Sequence, residues 1–243
     1  RESEDVRLWD VTTSYAVLAV AGPNSPRLLG AVTDADLSDD AFPPYRMRHT
    51  HIGHAPVFAQ RLSFTGETGW EIFVTPDFAE HVLEIILKAG QPLGLRLAGG
   101  EALNALRIEK GFLHWGADMA YTEAPYQLGL DFICKPGKTL PFIGQDACLA
   151  RKADPKGPCL RSVRLADPDA ILHHNEPVLR DGQIIGFVTS GAFCAMQKAA
   201  VGLCLVSPPD GADAFKAVED GPCSVMVEGR EVPAELRRKP LGA

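Results

Sequence analysis

One glutamate, Glu71, lies in a stretch whose other residues are typical of a buried strand. From Trp70 to Val74 the residues alternate, so that Trp70, Ile72 and Val74 face one side while Glu71 and Phe73 face the other. The apolar pattern predicts a strand that is covered on both faces. A carboxylate there needs hydrogen-bond donors, because burying an unpaired charge is costly.

Two kinds of partner are compatible with Glu71. The first is a structural ion pair with Arg61 or Arg107. The second is a ligand that presents two adjacent N–H groups, which one carboxylate can accept as a bidentate pair. The spacing alone favours the ion pair, because most half-buried carboxylates are structural.

Other residues that could bind a metal or react as nucleophiles do not form a recognisable set. His49, His51 and His54 are close in sequence, but no neighbouring carboxylate or cysteine completes a ligand set, so no metal site is predicted. The six cysteines include no C-x-x-C pair, and reduced thiols in a cytoplasmic protein are expected.

Glycines position Glu71. Gly66 and Gly69 bracket Glu67 and Thr68, which predicts a tight hairpin turn before the strand of Glu71. Elsewhere the pattern predicts helices that begin near Ser25 and others over 77–90, 101–110 and 145–151. It predicts strands over 12–21, on both sides of Gly53 within 46–60, and over 128–134.

A polar segment at 152–158 with two prolines is the best candidate for a domain boundary. After it, short apolar runs alternate with turns, among them Ser190-Gly191, which is typical of a small barrel. The fold class is therefore α+β. A ferredoxin-like antiparallel sheet-plus-helix domain (1–151) is expected, followed by a small C-terminal β-barrel (152–243).

The bulk composition excludes several classes of partner. The chain has 243 residues and a formal net charge of −7, so nucleic acid is not an expected partner. No apolar run is long enough to cross a membrane and no signal peptide is visible. The chain begins Arg-Glu-Ser-Glu, without methionine, and is expected to be part of a longer protein.

Several segments resemble the aminomethyltransferase family, the glycine cleavage T-proteins. Residues 64–71 (FTGETGWE) resemble its YTGEDGFE segment, and 106–111 (LRIEKG) resemble its LRLEAG helix. Residues 115–118 (WGAD), 189–191 (TSG) and 233–241 resemble its YGxD turn, barrel TSG and C-terminal end. Residues 102–111, 131–138 and 142–144 look more like the folate domains fused to dimethylglycine and sarcosine dehydrogenases.

The resemblance implies a tetrahydrofolate site. It assigns Glu71 to the pterin and places Phe64 against the ring, where the family has a tyrosine. It makes Arg107 a candidate for a ligand carboxylate or for Glu71. Trp115 and Tyr126 are candidate walls of the site, although core packing is at least as compatible with both.

The catalytic aspartate of the family lies in a part of the fold that precedes the segment resembling 12–22. Asp10, Asp34 and Asp36 lie in other segments, so the catalytic residue stays unassigned. Leu103 also replaces an arginine of free-standing T-proteins.

The resemblance implies a tetrahydrofolate-dependent aminomethyl or one-carbon transferase, or a portion of one. Its partners would be folate, a small amine or aminomethyl donor and a fused or associated dehydrogenase domain. FAD would be present only in such a domain. The alternative is a non-catalytic folate-binding or assembly module. A folate-dependent iron–sulfur assembly factor is a weaker third interpretation, because Cys159 and Cys194 do not reproduce its cysteine motif.

Overall fold

The structure, a computed structural model, describes residues 5–135, 137–154, 156–208, 218–238 and 240–241. The chain divides into two compact units, Arg1–Ala98 and Gly99–Ala243. This division differs from the predicted domain boundary between 151 and 152. The boundary between the two domains therefore stays a prediction.

The first unit is built on a four-stranded antiparallel sheet. Its strands are β1 (Ala16–Ala21), β2 (Met47–Ile52), β3 (Ala55–Gln60) and β4 (Gly69–Val74), in the order β1-β4-β3-β2. Gly53, with a φ of 57°, makes the turn between β2 and β3. The two strands predicted on either side of Gly53 are therefore present.

The helices of the first unit are α1 (Ser25–Gly30) and α2 (Pro76–Gly90), with short 3-10 helices at Thr12–Ser14 and Gln91–Leu93. Trp70, Ile72 and Val74 of β4 are fully buried in a core that includes Leu29 of α1 and Val82 of α2. The alternation that predicted this core face is confirmed.

Glu71 and Phe73 lie on the other face of the sheet, and both are only half-buried. On the same face Val17 of β1 is 49% exposed. The expectation that this strand is buried on both faces is wrong, because α1 and α2 pack their apolar sides onto only one face of the sheet.

The predicted tight turn before Glu71 is also wrong. β3 ends at Gln60 and β4 begins at Gly69, so the connection is a loop over 61–68 that includes Ser63 and Phe64. Gly66 does take the expected positive φ, 74°. Gly69 instead lies in the strand, where a Cβ would come within 2.9 Å of the Val20 carbonyl oxygen.

The second unit contains a closed six-stranded antiparallel barrel. Its strands are β5 (Cys159–Leu165), β6 (Pro177–Arg180), β7 (Gln183–Cys194), β8 (Ala199–Val206), β9 (Gly221–Val227) and β10 (Arg230–Arg237). Around the barrel they follow the order β10-β5-β8-β7-β6-β9, and the core is made largely of valine, leucine and alanine side chains from all six strands. The predicted fold class, a sheet-plus-helix region followed by a small barrel, is confirmed.

Two local predictions in the second unit are wrong. Ser190-Gly191 is not a turn but lies inside β7, after an irregularity in the pairing with β8. The predicted strand over 128–134 is absent, because Leu128 ends a 3-10 helix (Pro125–Leu128) and the residues after it form turns. The helices α3 (Gly100–Glu109) and α4 (Gln145–Ala153) are present where they were predicted.

No helix in the described part of the chain is long and apolar enough to cross a membrane.

Candidate functional site

The carboxylate of Glu71 has no partner among the residues that the structure describes. No described residue donates a hydrogen bond to it or forms an ion pair with it, although the side chain is half-buried. The two carboxylate oxygens are not enclosed by protein, so a molecule in solution can reach them. Glu71 is therefore a charged acceptor that is open to a ligand.

The strand register places Glu71 in a row of side chains across the sheet. Ala19 of β1, Glu71 of β4, Gln60 of β3 and Met47 of β2 are successive cross-strand partners. The members of such a row share a face, because directly opposed residues point to the same side. We call these four residues the polar row.

The next row on the same face is aromatic. Val17, Phe73, Phe58 and His49 are successive partners across the four strands. Phe58 contacts the ring of Tyr15 edge-on at 5.6 Å between centroids, and His49 lies 4.0 Å from Phe58. Glu71 thus lies beside an apolar, partly exposed surface that could support a flat ring.

Arg61, one of the two structural partners considered for Glu71, points elsewhere. Its guanidinium donates to the carbonyl of Phe42 and to the carboxylate of Asp39, both at 2.6 Å, and lies over the ring of Trp70. Trp70 faces the core side of the sheet, so the Arg61 guanidinium lies on the face opposite to Glu71.

Phe64 is half-buried in the 61–68 loop. This loop leads directly into β4 at Gly69, so Phe64 and Glu71 belong to one continuous segment of the first unit. The structure therefore places Phe64 and Glu71, the first and last residues of the FTGETGWE segment, in this unit.

Arg107, the other structural partner considered, is buried in the second unit and carries its own ion pair. Its guanidinium donates to the fully buried Asp118, to Asn104 at 2.9 Å, to Ser190 at 2.7 Å and to the carbonyl of Phe112 at 3.1 Å. These contacts show what holds Arg107. Its predicted role in binding a ligand carboxylate stays a prediction.

Asp118 joins three of the segments that carried the family resemblance. It accepts from Arg107 of α3, from the backbone N–H of His114 at 2.9 Å and from the hydroxyl of Thr189 at 2.6 Å. The LRIEKG helix, the WGAD turn and the TSG of β7 therefore meet at one buried carboxylate. Sequence reasoning missed this role, although the presence of the three motifs together was a usable signal.

A polar cavity of about 480 Å³ lies next to this network in the second unit. Asn104, Thr189 and Ser190 line it together with His173 and Asn175. Each nitrogen of the Arg107 guanidinium donates at least one hydrogen bond within the network, so these contacts hold the unit together.

Trp115 and Tyr126, the two other predicted wall residues, have different surroundings. Trp115 is 63% exposed, which is incompatible with core packing. Tyr126 is half-buried, donates from its hydroxyl to the carbonyl of Lys156 at 3.3 Å, and lines a cavity of about 20 Å³ with Cys134 and Cys148.

The described histidines and cysteines do not form a metal centre. No group of three or more histidine, cysteine, aspartate or glutamate side chains in the described residues is arranged to hold a metal ion. The six cysteines are free. Burial raises the pKa of the Cys204 thiol far above its ordinary value and that of Cys223 to about 11.

Comparison with known families agrees with this architecture. Residues 1–138 match the model of the GCVT N-terminal domain, and 159–241 match that of the glycine cleavage T-protein C-terminal barrel domain. The chain belongs to the glycine cleavage T-protein family. The resemblance stated from the sequence motifs is confirmed.

Relatives of this glycine cleavage T-protein family member include longer proteins. The chain is 38% identical over 236 residues to 4-methylaminobutanoate oxidase (formaldehyde-forming) of Paenarthrobacter nicotinovorans, covering 96% of this chain and 28% of that protein. It is 34% identical over 241 residues to mitochondrial dimethylglycine dehydrogenase of Mus musculus, covering 99% and 27%. The chain thus spans about a quarter of the length of these relatives.

Shorter proteins are also similar. An aminomethyltransferase of Clostridium botulinum (strain Loch Maree / Type A3) is 34% identical over 202 residues, covering 83% of this chain and 54% of that protein. The crystal structure of glycine cleavage system aminomethyltransferase T from Bartonella henselae superimposes with a TM-score of 0.77 at 21% identity. That match covers 93% of this chain and 59% of the other, and it shows the shared fold.

Proposed function

We propose that this chain binds the pterin of tetrahydrofolate at Glu71, as the folate-binding part of a tetrahydrofolate-dependent aminomethyl or one-carbon transferase. The observation that carries the proposal is the half-buried Glu71 carboxylate, which no described residue pairs with. A pterin presents a ring N–H next to an amino group, and together they would satisfy both carboxylate oxygens.

The surroundings of Glu71 fit a flat heterocycle. Phe73 and Phe58 form the aromatic row next to it and would support a ring while excluding water from one side. Phe64, in the loop before β4, is a third aromatic candidate for contact with the ligand. Bound tetrahydrofolate would supply the nitrogen that accepts the one-carbon unit, and the chain would hold and orient it.

The donor in this proposal is a small amine or aminomethyl compound. Two relatives are named for N-methylated amines, and the chain spans only about a quarter of each, which supports a fused or associated dehydrogenase domain as a partner. FAD would belong to that domain. Arg107, Trp115 and Tyr126 of the second unit remain candidate ligand contacts, and the exposed indole of Trp115 is the most accessible of the three.

A non-catalytic folate-binding or assembly module is the second candidate, because no catalytic aspartate is assigned in this chain. Asp10, Asp34 and Asp36 are exposed. The carboxylates of Asp10 and Asp36 accept from residues two positions along the chain, Thr12 and Ser38. A chain that binds tetrahydrofolate without transferring a one-carbon unit from any amine donor would support this candidate.

Thermal unfolding with tetrahydrofolate tests the proposal. The melting temperature should rise with ligand concentration, since binding to the native state alone stabilises it by about 2.7 kcal/mol at a ligand concentration of about 100 Kd. p-Aminobenzoylglutamate, which lacks the pterin, should give a much smaller shift. No shift at millimolar tetrahydrofolate would contradict the proposal.

A further inference from the structure

Gln60 is the direct cross-strand partner of Glu71. The two residues lie opposite each other in the antiparallel pair of β3 and β4, on the face that carries the polar row. Side chains in such a pair have Cβ atoms about 4.5–5.5 Å apart, so a single small ring can contact both. Both side chains are half-buried.

Neither side chain has a hydrogen-bond partner among the described residues. The Gln60 amide does not donate to the neighbouring Glu71 carboxylate, although the register would allow it, and no other described group pairs with either. Their polar atoms are not enclosed by protein. The two side chains thus lie next to each other, so the amide N–H donor of Gln60 is adjacent to the two acceptor oxygens of Glu71.

The rest of the polar row supplies no competing polar side chain. Ala19 lies beyond Glu71 and is small, while Met47 lies beyond Gln60 and is apolar. Two residues therefore set the hydrogen-bonding pattern along this row. Glu71 of β4 offers a carboxylate acceptor, and Gln60 of β3, next to it, offers an amide.

We infer that Gln60 recognises the 4-oxo group of the pterin, an inference that rests on the proposed function. Along one edge a pterin presents its 2-amino group, its N3–H and its 4-oxo oxygen in that order. Glu71 accepts from the first two, and the Gln60 amide N–H donates to the third. The 2-amino end of the ring then lies towards β1 and the 4-oxo end towards β2.

Gln60 is in this way a specificity-determining residue. A 4-aminopteridine replaces the oxygen acceptor by a donor and removes the hydrogen from N3, so the matched pattern of Gln60 and Glu71 is lost. A site that hydrogen-bonds a ligand group discriminates against analogues lacking that group, because its own polar atoms are then left unpaired.

The test measures the Kd of folic acid and of its 4-amino analogue, aminopterin, by calorimetry on the full chain. In Gln60→Met, folic acid should bind about 3- to 10-fold more weakly, since one neutral hydrogen bond is lost. In Gln60→Glu, two acceptors face each other, and folic acid should weaken by about 5- to 150-fold. Aminopterin should weaken much less, so the preference for folic acid should fall or invert.

Gln91→Met, at an exposed glutamine of the same unit, is the matched control and should leave both affinities unchanged. Circular dichroism and melting temperature establish that each variant is folded. An unchanged ratio of the two affinities in Gln60→Glu, with folic acid still lost in Glu71→Gln, would overturn the role of Gln60 and leave the proposed function intact. If neither folic acid nor tetrahydrofolate binds to the unsubstituted chain, both the role of Gln60 and the proposed function are overturned.

Discussion

At the scale of single residues, the charged groups of Glu71 and Arg107 differ in their hydrogen-bond partners. Arg107 is enclosed and its guanidinium is bound by Asp118 and three other acceptors. Glu71 is half-buried and has no described donor. The first arrangement holds a fold together, whereas the second is the one on which the proposed pterin site rests.

The buried pair makes a prediction about stability. Asp118→Asn should lower the free energy of unfolding by about 3–5 kcal/mol, because it leaves the Arg107 charge buried without a counter-ion. Asp154→Asn, which removes an exposed ion pair with Lys156, is the control and should cost less than about 1 kcal/mol. Urea denaturation of both variants measures the difference, and equal costs would show that the buried pair has no special role.

A buried thiol makes a prediction about pH. Burial raises the pKa of Cys204 far above its ordinary value of 9.0. Below pH 9 the thiol is protonated in both states. Above pH 9 it ionises in the unfolded chain alone, so stability should fall by up to about 1.4 kcal/mol per pH unit. Cys204→Ser should reduce this alkaline slope in urea titrations, and an unchanged slope would contradict the prediction.

Residue-level prediction from the sequence succeeded where a periodic pattern was enough. The alternation of Trp70, Ile72 and Val74 identified the core face of β4. Gln60 could not be identified in the same way, because its position beside Glu71 depends on the register of β3 and β4. Register follows from the length of the connecting loop, and the sequence had indicated a tight turn instead of the 61–68 loop.

At the scale of elements, the barrel depends on glycines where strands come close together. A Cβ on Gly186 of β7 would come within 2.0 Å of the Leu205 carbonyl oxygen of β8, so the backbone of one strand would have to move. Gly100 at the start of α3 has open space around it. The close approach is therefore specific to the strand pair.

Gly186→Ala should consequently lower the free energy of unfolding by about 1–3 kcal/mol or more. Gly100→Ala should be neutral or slightly stabilising. Thermal denaturation of the two variants provides the comparison, and a neutral Gly186→Ala would show that β7 and β8 can separate freely.

The helices and most barrel strands could be predicted from their apolar spacing and from glycine or proline at their ends. β10 was not predicted, since its pattern includes Pro233 and charged residues on the exposed side. The predicted turn at Ser190-Gly191 failed because β7 continues through these residues past an irregularity in its pairing with β8. Such irregularities follow from tertiary packing and are not visible in local composition.

At the scale of the whole molecule, the fold was predictable because several short motifs occur in the family order. Three of them meet at Asp118, which gives the resemblance a physical basis in the second unit. The FTGETGWE segment lies in the first unit and includes Glu71. The motifs thus identify the scaffold, and the proposed pterin site lies on one of them.

The most direct test of the central claim is the affinity of tetrahydrofolate for the chain and for Glu71→Gln, measured by calorimetry under anaerobic conditions. Glu71→Gln should weaken binding by about 1.5–3 kcal/mol, the value of hydrogen bonds to a charged group. That is roughly 12- to 150-fold in Kd. Glu67→Gln, an exposed glutamate of the preceding loop, should bind like the unsubstituted chain. Equal affinity in Glu71→Gln would contradict the claim that Glu71 holds the pterin.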